Sequence, residues 1–285
     1  MTAPDAPEGS SANRLDALRG DIDRIDSGIH GLIRERAEVV ARLADLKRAE
    51  NAGPAAGAAA FRPGREAQVL RRLIAAHGGP FPGTALLGMW RTMMAAFLRL
   101  QCPITVHVGA TDGNCRLWDL ARVHFGAETP LVGCSGTARA LDACGEDAAA
   151  LAVLPAPNGD DPWWLDLGED GLMVLAGLPF MTRASVGFEA VIVARARPEP
   201  SGDDVTWLRL DGCADDGDVH AIARKAGLEL SPVAAYKASR LVAAGRFLDA
   251  EDTALAAARD AAHTHGIRIN RVGCLARPVR MSDGA

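Results

Sequence analysis

The first fifty residues carry apolar side chains at spacings of three and four, the pattern of a helix that turns one face toward a core. This pattern predicts a helix over 13–50. Its apolar positions are Leu15, Leu18, Ile22, Ile25, Ile29, Leu32, Ile33, Val39, Val40, Leu43 and Leu46. Two cations interrupt the face, since Arg36 follows Ile29 by seven residues and Lys47 follows Val40 by seven. Eleven residues, about three helical turns, separate Arg36 from Lys47, so both point the same way.

A cation aimed at a core is seldom tolerated without a partner. Either residue alone would favour the simpler interpretation, in which the side chain extends to solvent or pairs with a neighbouring acid such as Glu38 or Asp45. Two cations on one face favour a site for an anion.

Two shorter helices are predicted after a linker at 51–60. The second begins at Arg62-Pro63-Gly64 and runs to about residue 77, and the third spans about 84–101 before Pro103 stops it. No strand is predicted in these first hundred residues.

Each of the shorter helices also places a polar group on its apolar face. Glu66, beside Arg65, lies on the face of the second helix, and Gln101 continues the face of the third. Taken singly, these are helix-end residues where polarity is easily accommodated. Together with Arg36 and Lys47 they predict a pocket with cations, one carboxylate and one amide.

Such a pocket suits a small polyanion that also carries a hydroxyl group. Guanidinium groups clamp carboxylates, lysine acts as a point charge, and glutamate accepts a hydrogen bond from a hydroxyl. These helices offer no suitably placed Ser, Cys or His nucleophile, so we expect positioning and electrostatic stabilisation rather than covalent catalysis.

Arg19 lies seventeen residues before Arg36, about 25 Å along a straight helix, so no small ligand touches both in one chain. Either Arg19 is a solvated surface residue, or a second chain with an antiparallel long helix donates it. The second interpretation predicts a homodimer with shared active sites.

After Pro103 the chain changes to short apolar runs separated by Gly and Asp clusters, with helical stretches between them. We predict a tail at 1–12, a helical domain at 13–102, and two α/β domains at 103–200 and 201–285. The predicted strands are ITVHV, PLVGC, ALAVL, LMVLAG, FEAVIVA, VTWLRL and IRINRVGCLA.

The composition of the chain bears on its expected partners, location and metal content. The net charge of −5 favours neither nucleic acid nor an anionic membrane surface as a partner. The chain shows no signal peptide and no membrane-spanning run, so we expect a cytoplasmic protein. Its six cysteines form no CxxC pair, which argues against a zinc site, and no metal is expected.

Residues 14–101 resemble the all-helical chorismate mutases, especially those fused to a prephenate dehydratase. The resemblance is carried by LDALRGDIDRIDSGIHGLIRERAEVVARLADLK, RPGREAQVLRRL and MWRTMMAAFLRLQ. It implies a three-helix domain in an intertwined dimer that rearranges chorismate to prephenate in aromatic amino acid biosynthesis, without a cofactor.

The resemblance also implies roles for six residues. Arg19 would reach the neighbouring subunit's site, and Arg36 would clamp a substrate carboxylate. Lys47 would contact the ether oxygen and a carboxylate, and Gln101 would contact the ether oxygen. Glu66 would hold the ring hydroxyl, and its neighbour Arg65 would bind the substrate. Two positions depart from the family pattern, because Arg62 stands where some members carry an acid and Phe97 where some carry a serine.

Residues 104–285 resemble a diverged dehydratase followed by an ACT-like module. Dehydratases carry a Thr-Arg-Phe tripeptide, whereas this chain has only Thr182-Arg183-Ala184 and the segment Asp204 to Trp207. We therefore expect a chorismate mutase with a degenerate second half that binds a ligand or stabilises the dimer. The alternatives are a bifunctional chorismate mutase/prephenate dehydratase and a non-catalytic sensor of aromatic-pathway metabolites.

Overall fold

The computed structural model describes residues 10–50, 60–109, 115–182 and 187–280, apart from the side chains of residues 10–12, 47, 48 and 50. The chain divides into two compact units, residues 1–50 and residues 51–285, and each is described by itself. The described part of the first unit is helix α1 (Ser10–Glu50). This helix starts three residues before the predicted start and so includes residues 10–12 of the predicted tail. Residues 1–9 of that tail lie outside the described residues.

Helix α1 leaves its apolar face largely exposed. Ten large hydrophobic side chains in its described part keep 43% to 66% of their surface accessible. They are Leu15, Leu18, Ile22, Ile25, Ile29, Leu32, Ile33, Val39, Leu43 and Leu46. We call this set the α1 stripe. Exposed apolar surface on this scale is unfavourable in water and is typical of surfaces that bind a partner.

Helices α2 (Pro63–Ala76) and α3 (Gly83–Gln101) lie where the sequence predicts them. Pro63 suits the first position of α2, where a backbone N–H would have no helical partner. The two helices pack together against the end of the α/β region. Their common core contains Ala67, Leu70, Leu87, Met94, Phe180, Ala276 and Val279. These two helices therefore share a core with the sheet that follows them in sequence.

The start of α2 approaches the chain at Glu199 very closely. A Cβ atom added at Gly64 would lie 2.5 Å from the carbonyl oxygen of Glu199, so this position requires glycine. Beside it, Arg62 Nε donates to both carboxylate oxygens of Glu199 at 2.9 Å. The departure from the family pattern at Arg62 thus has a structural partner within this chain.

The α/β region is built on one large sheet. In the described ranges this sheet has nine strands in the order β2-β1-β3-β6-β4-β10-β7-β9-β8. The strands are β1 (Thr105–Gly109), β2 (Leu131–Cys134), β3 (Ala150–Pro155), β4 (Met173–Leu178), β6 (Ala190–Ala194), β7 (Asp204–Asp211), β8 (Leu230–Tyr236), β9 (Ser239–Ala244) and β10 (Arg268–Ala276). Two short strands, β5 (Met181–Thr182) and β11 (Val279–Arg280), pair in parallel beside it. All seven predicted strands are confirmed.

Helices cover this sheet between its strands. They are α4 (Cys115–Phe125), α5 (Thr137–Glu146), α6 (Asp216–Ala226), α7 (Thr253–His263) and a 3-10 turn at Trp163–Asp166. In the first half, β1 pairs in parallel with both β2 and β3, as βαβ units do. From β7 to β10 the order of elements is βαββαβ, a ferredoxin-like arrangement. The fold class is therefore confirmed: helices alone up to residue 101 in the described part, then an α/β region.

The two halves of the sheet meet at strands β4 and β10. Gly273 of β10 lies opposite Val174 of β4, and a Cβ atom at Gly273 would overlap the Val174 carbonyl oxygen. The sheet is continuous here, although the predicted domain boundary at 200/201 falls in the connection between β6 and β7. The predicted boundaries themselves remain predictions.

Candidate functional site

Glu66, the carboxylate that the sequence singles out, forms a buried ion pair with Arg91. Arg91 Nη1 donates to Glu66 Oε2 at 2.5 Å, joining the first turn of α2 to the middle of α3. The Arg91 side chain is 7% exposed and that of Glu66 17%. The pair lies at the edge of the core that α2 and α3 share with the sheet. The predicted position of Glu66 on the buried face of its helix is consistent with this placement.

Burial shifts the pKa of both members of the ion pair. Desolvation raises the pKa of Glu66, and the charge and hydrogen bond of Arg91 oppose this rise. Desolvation lowers the pKa of Arg91, and Glu66 opposes that change in turn. Each group thus stabilises the charged form of the other in a place where neither would be favourable alone.

An aromatic ring lies over the guanidinium, and a buried histidine lies within reach of its charge. Arg91 Cζ lies 5.1 Å from the centroid of the Phe180 ring, a cation–π distance. On α4, buried His124 packs edge-to-face against Phe61 and Phe125, with ring centroids 5.9 Å and 4.7 Å away. Burial first, and then the charge of Arg91, lowers the pKa of His124 well below its ordinary value. The cluster therefore holds one anion, one cation and a neutral imidazole.

Sequence reasoning missed Arg91 and His124. Arg91 lies four residues after Leu87 and three before Met94, so it lies on a buried face of α3 just as Arg36 lies on the apolar face of α1. This is the kind of position that singles out Arg36, but in the shorter helix α3 a neighbouring face fits the apolar pattern nearly as well, so the pattern alone does not identify Arg91. His124 carried no comparable pattern in a helix of eleven residues.

The remaining predicted residues of α2 and α3 make local contacts. Arg65 is exposed, and its Nη1 donates to Gln68 Oε1 at 3.1 Å. Gln101 is half-buried at the end of α3, and its Nε2 donates to the Phe97 carbonyl oxygen at 3.2 Å. Ten residues separate Arg91 from Gln101, about 15 Å along the helix, so Gln101 lies well beyond the ion pair.

The predicted residues of α1 belong to the first unit. Arg19 is exposed and pairs with Asp16 one turn earlier, with an Nη1–Oδ1 distance of 3.1 Å. Arg36 is half-buried, and burial lowers the pKa of its guanidinium. Lys47 lies in the last turns of α1, but its side chain is outside the described residues. The six predicted site residues thus remain a prediction as a set.

The α/β region contains a cavity of about 600 Å³. Its polar lining includes Arg71, Arg277, Arg280 and Asp203, whose carboxylate lies 3.2 Å from Arg277 Nε, and its apolar lining includes Phe188. Arg71, from α2, donates to the Arg277 carbonyl oxygen at 2.8 Å. Arginines beside apolar side chains suit a small organic anion.

The two segments compared with the dehydratase tripeptide occupy different places. Thr182 lies in β5 and borders the cavity, while Arg183 and Ala184 lie outside the described residues. In the other segment, Asp204 accepts hydrogen bonds from the backbone N–H and hydroxyl of Ser201, and Thr206 is bonded to the backbone at Arg246 and Leu248. The polar groups of this second segment serve the fold.

No described helix is both long and apolar enough to cross a membrane. This agrees with the amphipathic, rather than uniformly apolar, sequence of α1.

Helices α2 and α3 thus contain a buried carboxylate–guanidinium pair, and α1, in the other unit, has an arginine among its apolar positions. Residues 18–102 match the family model of chorismate mutase type II. The predicted resemblance to the all-helical chorismate mutases is thereby confirmed for this part of the chain. All six predicted site residues fall within the matched range.

Curated relatives extend the comparison. A bifunctional chorismate mutase/prephenate dehydratase of Stutzerimonas stutzeri is 38% identical over 106 residues, which cover 37% of this chain and 28% of that relative. The protein of the same description from Pseudomonas aeruginosa is 28% identical over 152 residues, covering 52% of this chain and 40% of the relative. The chain therefore spans less than half the length of these relatives.

Among solved structures, a prephenate dehydratase from Streptococcus mutans aligns with 62% of this chain and 100% of its own, at a TM-score of 0.41 and 11% sequence identity. This likeness is too slight to carry any assignment for the α/β region.

Proposed function

We propose that this protein is a chorismate mutase, which converts chorismate to prephenate in the biosynthesis of aromatic amino acids such as phenylalanine. The observation that carries the proposal is the match of residues 18–102 to the type II chorismate mutases. The buried, ion-paired carboxylate of Glu66 supports it, since a carboxylate fixed in this way is suited to accept a hydrogen bond from a substrate hydroxyl.

The reaction rearranges a single molecule. One C–O bond breaks and one C–C bond forms, and negative charge grows on the ether oxygen as the C–O bond breaks first. In our proposal Lys47 and Gln101 meet that charge, which lowers the energy of the transition state more than that of the substrate. Arg36 clamps a substrate carboxylate, Arg65 also binds the substrate, and no cofactor takes part.

We further propose that the active protein is a homodimer with shared sites. The exposed α1 stripe supports this, because a second copy of the same helix would cover it with a matching apolar face. The distance of about 25 Å between Arg19 and Arg36 along α1 supports it as well, since only another chain would bring Arg19 to the same ligand. We also propose a cytoplasmic location, in keeping with the biosynthetic activity proposed for the chain.

The direct test is to supply chorismate to the purified protein and follow its loss. We expect turnover by the wild type, and loss of turnover in Lys47→Ala and Gln101→Ala with unchanged circular dichroism. A wild type that leaves chorismate intact, or a Lys47→Ala variant with full activity, would overturn the assignment.

The alternative is a bifunctional enzyme, which the names of the curated relatives favour. The incomplete tripeptide at Thr182 argues against it, and we expect no phenylpyruvate when prephenate is supplied. Formation of phenylpyruvate that persists in Lys47→Ala but not in a Thr182→Val variant would establish the second activity.

A further candidate role is ligand binding by the α/β region, which would make the chain a sensor whether or not it catalyses. The arginine-lined cavity favours this role. Calorimetry with phenylpyruvate as an anionic probe and phenylethanol as its neutral counterpart would test it. Binding of the acid alone, lost in Arg280→Ala, is the expected outcome, and equal affinity for both probes would exclude an arginine-dependent site.

A further inference from the structure

In the ion pair between Glu66 and Arg91, the arginine contacts one of the two carboxylate oxygens. Arg91 Nη1 contacts Oε2 of the carboxylate, and no other donor among the described residues contacts Glu66 through its side chain. The arginine is more deeply buried than the glutamate, with 7% against 17% of the side chain exposed. One carboxylate oxygen of Glu66 and part of its surface thus remain available to a ligand, while Arg91 holds the other oxygen.

We propose that Arg91 is a positioning residue for Glu66: it holds the carboxylate ionised and in one orientation, so that the second oxygen accepts a hydrogen bond from the substrate. This inference rests on the proposed chorismate mutase activity. It adds a residue outside the six that the sequence predicts, and one that acts through Glu66 without touching the substrate.

Burial makes such a partner necessary. A carboxyl group in this environment favours its neutral form, because desolvation raises its pKa, and the charge and hydrogen bond of Arg91 are what oppose that rise. A protonated Glu66 would place a proton on one of the two oxygens and would lose the strong acceptor that a hydroxyl needs. Arg91 is therefore the group that favours the ionised form of Glu66.

Arg91 is itself fixed by its surroundings. The Phe180 ring lies 5.1 Å from its guanidinium carbon, and the short bond to Glu66 sets the direction of Nη1. A planar guanidinium held by a ring face and a carboxylate has little freedom to rotate, so it orients its partner more precisely than a flexible ammonium group would.

The other two side chains of this cluster, those of His124 and Phe180, bring no charge to the ion pair. Glu66 comes from α2, Arg91 from α3 and His124 from α4, and Phe180 contributes an uncharged ring from the chain after β4. His124 is kept neutral, since burial and the nearby arginine both lower its pKa. Arg91 is thus the charged group that acts on Glu66 in this cluster.

The test uses the full chain and two substitutions at one position. Arg91→Lys keeps the charge, and Arg91→Gln keeps a hydrogen-bond donor but removes the charge. Arg271→Gln is the matched control, because Arg271 is also 7% exposed and also pairs with a glutamate, Glu169, at 3.1 Å, and it makes no bond to Glu66 or Arg91 among the described residues. Turnover of chorismate is measured from about pH 5 to pH 9, together with the 13C titration of the Glu66 carboxyl, assigned with Glu66→Gln.

We expect Arg91→Gln to lose about tenfold or more in kcat/KM near neutral pH and to recover part of it as the pH rises, because Glu66 then ionises at higher pH. Its Glu66 titration should move upward by about one pH unit or more. Arg91→Lys should titrate close to the wild type and show a raised KM. Arg271→Gln should keep the wild-type pH profile even if it is less stable.

An Arg91→Gln variant with the wild-type pH profile and Glu66 titration would overturn the inference and leave Arg91 as a tie between two helices. If that variant does not fold, Arg91→Lys decides, since an unchanged KM would contradict a positioning role. A wild type without chorismate turnover would refute the proposed function, and the Glu66 titration would still test Arg91.

Discussion

His124 shows how a single buried side chain makes stability depend on pH. Its Nε2 has no hydrogen-bond partner in the part of the chain that the structure describes, and its ring lies between aromatic groups. Its pKa in the folded protein is well below the ordinary value. A group with a lowered pKa contributes stability above its unfolded pKa, about 6.5 for histidine, and that contribution is lost as the pH falls toward the folded value.

We therefore predict that the free energy of unfolding falls between about pH 6.5 and pH 5, and that His124→Phe makes this fall shallower by about 1 to 2 kcal/mol. Phenylalanine keeps the ring contacts and removes the group that must be protonated on unfolding. Urea unfolding at a series of pH values measures the effect. The control is His265→Gln at an exposed histidine, and equal slopes for His124→Phe and the wild type would contradict the prediction.

The residues of the ion pair show what a sequence reveals and what it leaves open. Glu66 was found because it interrupts an apolar face. On α3, Trp90 and Met93 also follow an apolar pattern, yet they are half-buried, whereas Arg91 beside them is buried. In a short helix two neighbouring faces fit the apolar pattern nearly equally. Only the packing of Arg91 against Glu66 and Phe180 shows which of the two faces is buried. The partner lies 25 residues away, beyond any local pattern.

At the scale of elements, the close approach at Gly64 locks α2 to the chain at Glu199. We predict that Gly64→Ala lowers the free energy of unfolding by about 1 to 3 kcal/mol, although alanine is the better helix former. The added Cβ would lie 2.5 Å from a backbone oxygen, which cannot turn aside as a flexible side chain can. Thermal or urea unfolding measures the loss.

Gly145 provides the control for this substitution. It is an exposed glycine in helix α5, and a Cβ atom there meets nothing within 4 Å. Gly145→Ala should raise stability by about 0.5 to 1 kcal/mol through helix propensity alone. A Gly64→Ala variant that is as stable as Gly145→Ala would show that the approach at Glu199 relaxes without cost.

The elements that the sequence failed to predict are the ones that tertiary packing creates. Strands β8 and β9 form an edge hairpin, and β8 contains Pro232 and adjacent alanines at 234 and 235. Proline and alanine are poor strand formers, so no local pattern marked the segment. Pairing with β7 and the core beneath β9 fix it instead. The central strands, rich in valine and isoleucine, were all predicted.

The α1 stripe leads to a prediction about association. We expect the wild type to sediment as a dimer and the double variant Ile25→Glu, Ile29→Glu to sediment as a monomer, because charges on a covered apolar face would be buried without partners. Analytical ultracentrifugation measures both. Ser27→Glu, a charge outside the stripe on the same helix, should remain dimeric. A dimeric double variant would show that the stripe is not the interface.

At the scale of the whole molecule, the helices and the sheet do not separate as simply as the sequence suggests. The composition change at Pro103 is real, since strands begin at residue 105 in the described chain. The core that α2 and α3 share with Phe180, Ala276 and Val279 crosses that point. Periodicity finds apolar faces but not their partners, so the sequence predicted the elements and missed this joint core. Arg36 and Lys47, two of the predicted site residues, lie on α1, which belongs to the other unit.

Sharing of sites between subunits is the property of the whole assembly that is most open to test. Arg19 and Lys47 lie 28 residues apart on α1, about 42 Å along the helix. If Arg19 serves the neighbouring site, Arg19→Ala and Lys47→Ala damage different chains of the same active site. A mixed dimer then contains one site with both residues intact and one site with neither. Equal mixing makes about half of the dimers mixed, so about one quarter of wild-type activity should return.

Each variant alone should be nearly inactive, and subunit exchange should be verified by mass spectrometry of differently tagged chains. If Arg19 instead acted within its own chain, every site in the mixture would lack one residue and no activity would return. Recovery to about a quarter therefore separates the shared site from every arrangement in which each subunit works alone.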